Sequence, residues 1–220
     1  MTTPQHNLAV IKVVGIGGGG TNAIKRMIGE GMTGVDFIAL NTDEQDLLDC
    51  DAPTKLDIGQ STTRGLGAGA DPAVGERAAR DNSQDIEDVL TGADMVFVTA
   101  GEGGGTGTGG APIVAGIARG LGALTVAVVT KPFSFEGKRR ADNAEHGIEK
   151  LRDACDTLIT IPNDRLLQQE DKTISINEAF SKADEVLFNG VQGITDLIST
   201  PGLINVCLLY TSDAADERSS

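Results

Sequence analysis

At 220 residues, 40% of them hydrophobic, the chain is long enough to bury a full core as one large domain or two small ones. A formal charge of −14 excludes general affinity for nucleic acid or an anionic membrane, because both recruit clustered Lys and Arg. Any phosphate ligand must then be held locally, by backbone groups. Cys50, Cys155 and Cys207 are widely spaced without a CxxC pair, and His6 and His146 have no ligand cluster around them, which predicts reducing surroundings and no structural zinc. No apolar run approaches the ~20 residues that span a bilayer, and the start MTTPQHN has neither the basic nor the apolar region of a signal peptide. A cytoplasmic protein without direct membrane insertion is expected.

Along the chain, apolar runs that read as buried strands recur at 8–16 (LAVIKVVGI), 35–41 (VDFIALN), 95–100 (MVFVTA), 124–130 (LTVAVVT) and 157–162 (TLITIP). Helical spacing fills 21–30, 72–90, 111–120 and 138–153, the second of these opening with Asp71 as cap and Pro72 at the first helical position. This alternation predicts an α/β fold, a mostly parallel sheet with helices on both faces. Ser175 and Glu178 have capping-box spacing, and no proline stands between them and Thr200, so a long helix closes the pattern, interrupted only at Gly190 and Gly193. Leu187, Val191, Ile194 and Ile198 form one apolar row on it, while Val186, Phe188 and Leu197 lie off that row. The second apolar side predicts a partner domain packed there.

Two glycine segments follow strands and open helices: GIGGGGTNA at 15–23 and GEGGGTGTGG at 101–110. In open α/β sheets ligands bind beyond the carboxyl ends of the strands, where helix N-termini offer unpaired N–H groups to phosphates. Glycine lets backbone approach such a ligand, and Thr hydroxyls add hydrogen bonds. A flexible linker is the plain alternative for 101–110, but strand and helix patterns abut it on both sides. Gly15, Gly17 and Gly20 also fit the dinucleotide fingerprint GxGxxG, so an NAD(P)-binding oxidoreductase is the rival reading. Against it, the second strand ends in Asn41 and Thr42 before Asp43, where that fingerprint wants an acidic residue for the ribose. GxxxxGK[ST] is absent, which argues against a P-loop protein.

GGGTGTG at 103–109 resembles the signature of the tubulin and FtsZ superfamily. GGGGTNA (17–23), NTDEQ (41–45), TRGLGAGADP (63–72), KPFSFEGKRR (131–140), IPNDRLL (161–167) and NGVQGITDLISTPGLIN (189–205) resemble FtsZ proteins in order and spacing, from Leu8 to Val206. The resemblance implies a GTP-binding domain over 8–206 of a cell-division GTPase that polymerises head to tail with itself into a ring at mid-cell. It implies further division proteins as partners, engaged through C-terminal parts. It places the backbone of Gly18, Gly19, Gly20 and Thr21, and of Gly105, Thr106 and Gly107, around the phosphates of GTP or GDP, with Glu136 and Arg140 at the ribose. Asn22, Phe180 and Asp184 would contact guanine, where a carboxylate can accept from both N1–H and the exocyclic amine. Mg2+ would be bound through the phosphates, with Asp43 hydrogen-bonding one of its waters. As residues alone, Asp184 reads equally as a solvated helix charge, Phe180 as a core aromatic, and Glu136 with Arg140 as an i,i+4 pair.

FtsZ proteins carry NxDxxD after the long helix, a loop that enters the next subunit's pocket and helps position the attacking water. Here Asn205 and Val206 are followed by Cys207, Leu208 and Leu209. The ending CLLYTSDAADERSS at 207–220 resembles no part of the family and reads as a non-native tail, a translated library adapter joined to a truncated gene. A chain that binds GTP without hydrolysing it alone is expected, with a non-catalytic module capping filaments as a further alternative.

Overall fold

The structure, a computed structural model, describes residues 9–168 and 174–199. Six parallel strands form one sheet in the order β3-β2-β1-β4-β5-β6: β1 Ile11–Ile16, β2 Asp36–Asn41, β3 Thr54–Asp57, β4 Met95–Gly101, β5 Leu124–Lys131 and β6 Thr157–Pro162. The helices between and after them are α1 Gly17–Gly29, α2 Glu44–Leu48, α3 Pro72–Asp81, α4 Ser83–Leu90, α5 Thr106–Gly120, α6 Lys138–Ala154, α7 Asp164–Leu167 and α8 Ile176–Ser199. Both faces of the sheet are covered, as continuous apolar strands require. On one face Val14, Val96 and Val98 pack with Ala78, Ile86, Val114 and Leu151 of α3 to α6. On the other, Val13, Phe97 and Val128 pack with Ile24 and Met27 of α1 and with Leu187 and Val191 of α8. Each large side chain buried in this way contributes about 2 kcal/mol.

The five expected strands are all present, and the structure adds β3 at the sheet edge along with the short helices α2 and α7. The helix expected over 72–90 is two helices, with a break at Asn82, whose ψ is 22° and whose side-chain amide donates to the carbonyls of Ile58 and Ala78. Asp71 and Pro72 begin α3 as expected, the Asp71 carboxylate accepting from the Ala73 N–H at 2.9 Å. Ser175 and Glu178 form the reciprocal capping box that opens α8: the Ser175 N–H donates to the Glu178 carboxylate and the Glu178 N–H to the Ser175 hydroxyl. Gly190 and Gly193 do not interrupt α8. Gly190 lies against β5 instead, where a Cβ would stand 3.0 Å from Val128.

Candidate functional site

β1 and β4 are neighbours in the sheet, yet the helices that follow them leave to opposite faces, α1 to the side of α8 and α5 to the side of α3 and α6. Such a reversal opens a crevice at the carboxyl ends of the strands. Here it is a cavity of about 510 Å3, within the size range of small-ligand sites. Its walls come from the β1–α1 and β4–α5 junctions, residues 66–70, the end of β5, Asn163 and the first half of α8.

The two glycine segments form the crevice floor by meeting backbone to backbone. Gly17 has φ +68°, and a Cβ on it would lie 2.9 Å from the Gly107 nitrogen. Gly103 has φ +102°, and a Cβ there would lie 2.8 Å from the Arg140 carbonyl oxygen. Both positions therefore require glycine. The hydroxyls of Thr42 and Thr106 are hydrogen-bonded to each other, which ties the end of β2 to the start of α5. Neither α1 nor α5 has a capping side chain at its N-terminus, so both helix starts present backbone N–H groups and partial positive charge to the cavity.

Ten of the residues expected at a nucleotide line this cavity: Gly18, Gly19, Asn22, Gly105, Thr106 and Gly107 at the floor, and Glu136, Arg140, Phe180 and Asp184 on the walls. Gly20 and Thr21 do not line it. Gly20 packs α1 onto the sheet, a Cβ there meeting the Thr99 carbonyl oxygen at 2.5 Å, and the fully buried Thr21 donates its hydroxyl to the Gly18 carbonyl. Asn205 and the tail 207–220 lie outside the described residues.

Glu136 bridges two partners, accepting from the Phe133 N–H and from the Arg140 guanidinium, each at 2.8 Å. Phe180 stands edge-on to Phe133 and Phe135, with centroids 5.5 and 6.3 Å away, and remains 39% exposed, so an aromatic surface is left open at the cavity. Burial pushes the Asp184 carboxyl up to about 6, against the opposing pull of the Arg26 and Lys25 charges. Asp43 lines the cavity too, but its carboxylate caps α2 by accepting from the N–H groups of Gln45 and Asp46.

Sequence reasoning passed over Asp46 and Asn163, which also line the cavity. Asp46 is held by the Asn41 side-chain amide at 3.2 Å, and its Oδ2 stands 3.3 Å from the position of a Cβ on Gly18, directly over the first glycine segment. Asn163 is buried with its Oδ1 unpartnered by any protein group. Neither residue belongs to a periodic pattern. Only their positions shortly after strand ends signalled them.

A family model described as the Tubulin/FtsZ family GTPase domain matches residues 10–171. The structure is similar to that of an FtsZ dimer, empty, from M. jannaschii, with TM-score 0.86 and 49% identity over 90% of this chain and 58% of that one. A W319Y mutant of M. jannaschii FtsZ matches equally, over 60% of its length. A GTPgS-bound CetZ2 protofilament from Haloferax volcanii shares the fold at TM-score 0.80 and 22% identity, over 90% of this chain and 62% of that one. The present chain thus spans less than two thirds of the length of these proteins. The dinucleotide fingerprint has no counterpart at the end of β2, where Asn41 is committed to the Thr42 N–H and to Asp46. Cavity, floor and match agree, and the chain belongs to the tubulin/FtsZ family, whose GTPase domain it contains.

Proposed function

We propose that the chain is the GTP-binding domain of an FtsZ-type cytoskeletal GTPase, the parent of which assembles head to tail and serves cell division. The observation that carries this reading is the cavity floor: two uncapped helix N-termini meet there, so that backbone N–H groups from both converge beneath one ligand. A polyphosphate suits that floor. The base would lie between Phe180 and Asn22, with Asp184 accepting from guanine N1–H and its amine and Asn163 supplying a further polar contact. Adenine offers no N1–H donor, so the half-buried Asp184 would lose a partner beside it.

The donor set also fits a divalent cation carried by the phosphates. Asp46, with its hard oxygen ligand aimed over Gly18, would hold waters of such an ion in preference to Asp43, which is occupied as a helix cap. The cation would neutralise phosphate charge in a cavity whose charged side chains are mostly acidic. Hydrolysis in this family draws on acidic residues after the long helix, and this chain carries Val206, Cys207 and Leu208 there, so turnover by the chain alone is not expected.

Titration calorimetry of the full chain with GTP, ATP and NADH in the presence of Mg2+ tests the reading. The expected result is GTP binding at least ~100-fold tighter than ATP and no heat with NADH. Preference for NADH, or equal affinity for GTP and ATP, would overturn it.

A further inference from the structure

The second glycine segment carries an acidic residue that the nucleotide reading does not use. Glu102 is 4% exposed, and neither carboxyl oxygen has a hydrogen-bond partner of good geometry. Its backbone is fixed, the N–H donating to the Thr130 carbonyl oxygen at 2.9 Å. Its side chain fills the slot between α5 and α6: a Cβ on Gly147 would meet Glu102 Oε2 at 2.5 Å and the Thr108 methyl at 2.4 Å. The same α6 wall supports the pocket, since Asn143 reaches the carbonyls of Ala70 and Gly103 at 3.4 and 3.5 Å, and Gly103 abuts the Arg140 carbonyl. Thus Glu102 is wedged where α6 and the phosphate-facing segment meet.

A carboxylate placed there would meet no positive charge from any side, and only one hydroxyl. On α5, Thr108, Gly109 and Ala111 are uncharged; the Thr108 hydroxyl accepts from the Gly103 N–H at 2.8 Å, which leaves its own proton as the one donor near the carboxyl. On α6, Asn143 and Leu151, one turn either side of Gly147, are uncharged. The charged residues Glu145 and Lys150 are exposed and paired with Lys131 and Glu76, and exposed His146 is bound to the Asp142 carbonyl. On β5, the Lys131 ammonium is therefore engaged outside the slot. Burial pushes the Glu102 carboxyl up to about 8, opposed only by the Thr108 hydroxyl.

We propose that Glu102 is a proton-operated latch: protonated, its carboxyl rests in the slot and lets α6 close on the signature segment, and its ionisation parts the two and loosens the pocket. The geometry gives the direction of the effect. An unpaired buried carboxylate must gain water or leave the slot, and either displaces the Gly103–Asn143–Arg140 wall. The nucleotide consequence rests on the proposed function above; the titration itself does not.

The test measures GTP affinity of the full chain from pH 6.5 to 9.0 for wild type and Glu102→Gln, with the melting temperature of each followed over the same range without nucleotide. Both GTP and Asp184 titrate identically in the two proteins, so only the difference between them is read. Wild-type affinity is expected to fall at least ~5-fold more than that of the Gln variant between pH 7 and 9, given up to a tenfold change per pH unit beyond the carboxyl's midpoint. Carboxyl carbon NMR of the wild type should show one group titrating in the same range. Equal pH profiles in the two proteins, or a Glu102 resonance that titrates with the ordinary carboxylates, would overturn the latch. If GTP binds at no pH the proposed function fails, while the NMR titration still decides the latch. Should the Gln variant not fold, Glu102→Met fills the slot without a proton and serves the same comparison.

Discussion

Asp184 lies on the α8 wall with its carboxyl raised to about 6 by burial, and in the proposed complex it must be ionised to accept two hydrogen bonds from guanine. Because its folded value is raised above the ordinary one, the charged form is the one the free protein disfavours, and protonation takes over as pH falls through 6. GTP affinity of the wild type is therefore expected to drop up to tenfold per pH unit below about 6, whereas Asp184→Asn should be weak at pH 7 by roughly 100-fold and flat across that range. Calorimetric titrations from pH 5 to 7.5 check this, and an Asn variant that keeps the wild-type slope would show the proton to be elsewhere. Residues of this kind were legible only through motifs. Phe180, Asp184 and the Glu136–Arg140 pair would pass as ordinary helix residues without the family resemblance, and Asp46 and Asn163 went unread because a lone polar residue in or beside a one-turn helix carries no period.

Among the elements, α3 and α5 come so close that backbone touches backbone. A Cβ on Gly109 would lie 2.0 Å from the Pro72 carbonyl oxygen and 2.5 Å from the Glu76 nitrogen, neither of which can rotate away. Gly109→Ala must push the helices apart and is expected to cost about 3 kcal/mol or more, while Gly116→Ala, exposed further along the same helix with nothing within 4 Å, should stabilise by about 0.5–1 kcal/mol. Urea unfolding of the two variants reads both signs at once, and a neutral Gly109→Ala would mean the helices are not held at this distance. The central strands β1, β2, β4 and β5 were legible as largely apolar runs buried on both faces, and the half-buried edge strand β6 through its Leu and Ile residues; β3, a four-residue edge strand whose one apolar residue is Leu56, was not. Helix starts were misread for a related reason. Glycine disfavours helix interiors and Pro112 suits a first turn, so the sequence suggests a beginning near 111, yet α5 starts at Thr106 and carries Pro112 inside it. Close packing on α3 and the sheet overrides local propensity there.

At the scale of the whole molecule, charge and site pull in opposite directions. The chain carries −14, and Arg140 is the only Lys or Arg among the described residues lining the cavity, already paired with Glu136, while Asp43, Asp46, Glu102 and Asp184 line it as acids. A nucleotide triphosphate approaching this surface is repelled at long range and attracted only within reach of the helix N-termini and a bound cation. Phosphate-binding proteins that rely on Lys and Arg lose affinity steeply as salt rises, since they release counterions on binding. Here the order should reverse. Raising KCl from 0.05 to 1 M shortens the screening length from roughly 14 to 3 Å, which removes the long-range repulsion and leaves the short backbone contacts intact. GTP affinity at fixed free Mg2+ is therefore expected to hold or to rise by roughly two- to fivefold, mainly through a faster association rate. Stopped-flow binding with a fluorescent guanine nucleotide separates the two rates. An association rate that falls tenfold over this range would mean that basic groups, not the glycine floor, capture the phosphates.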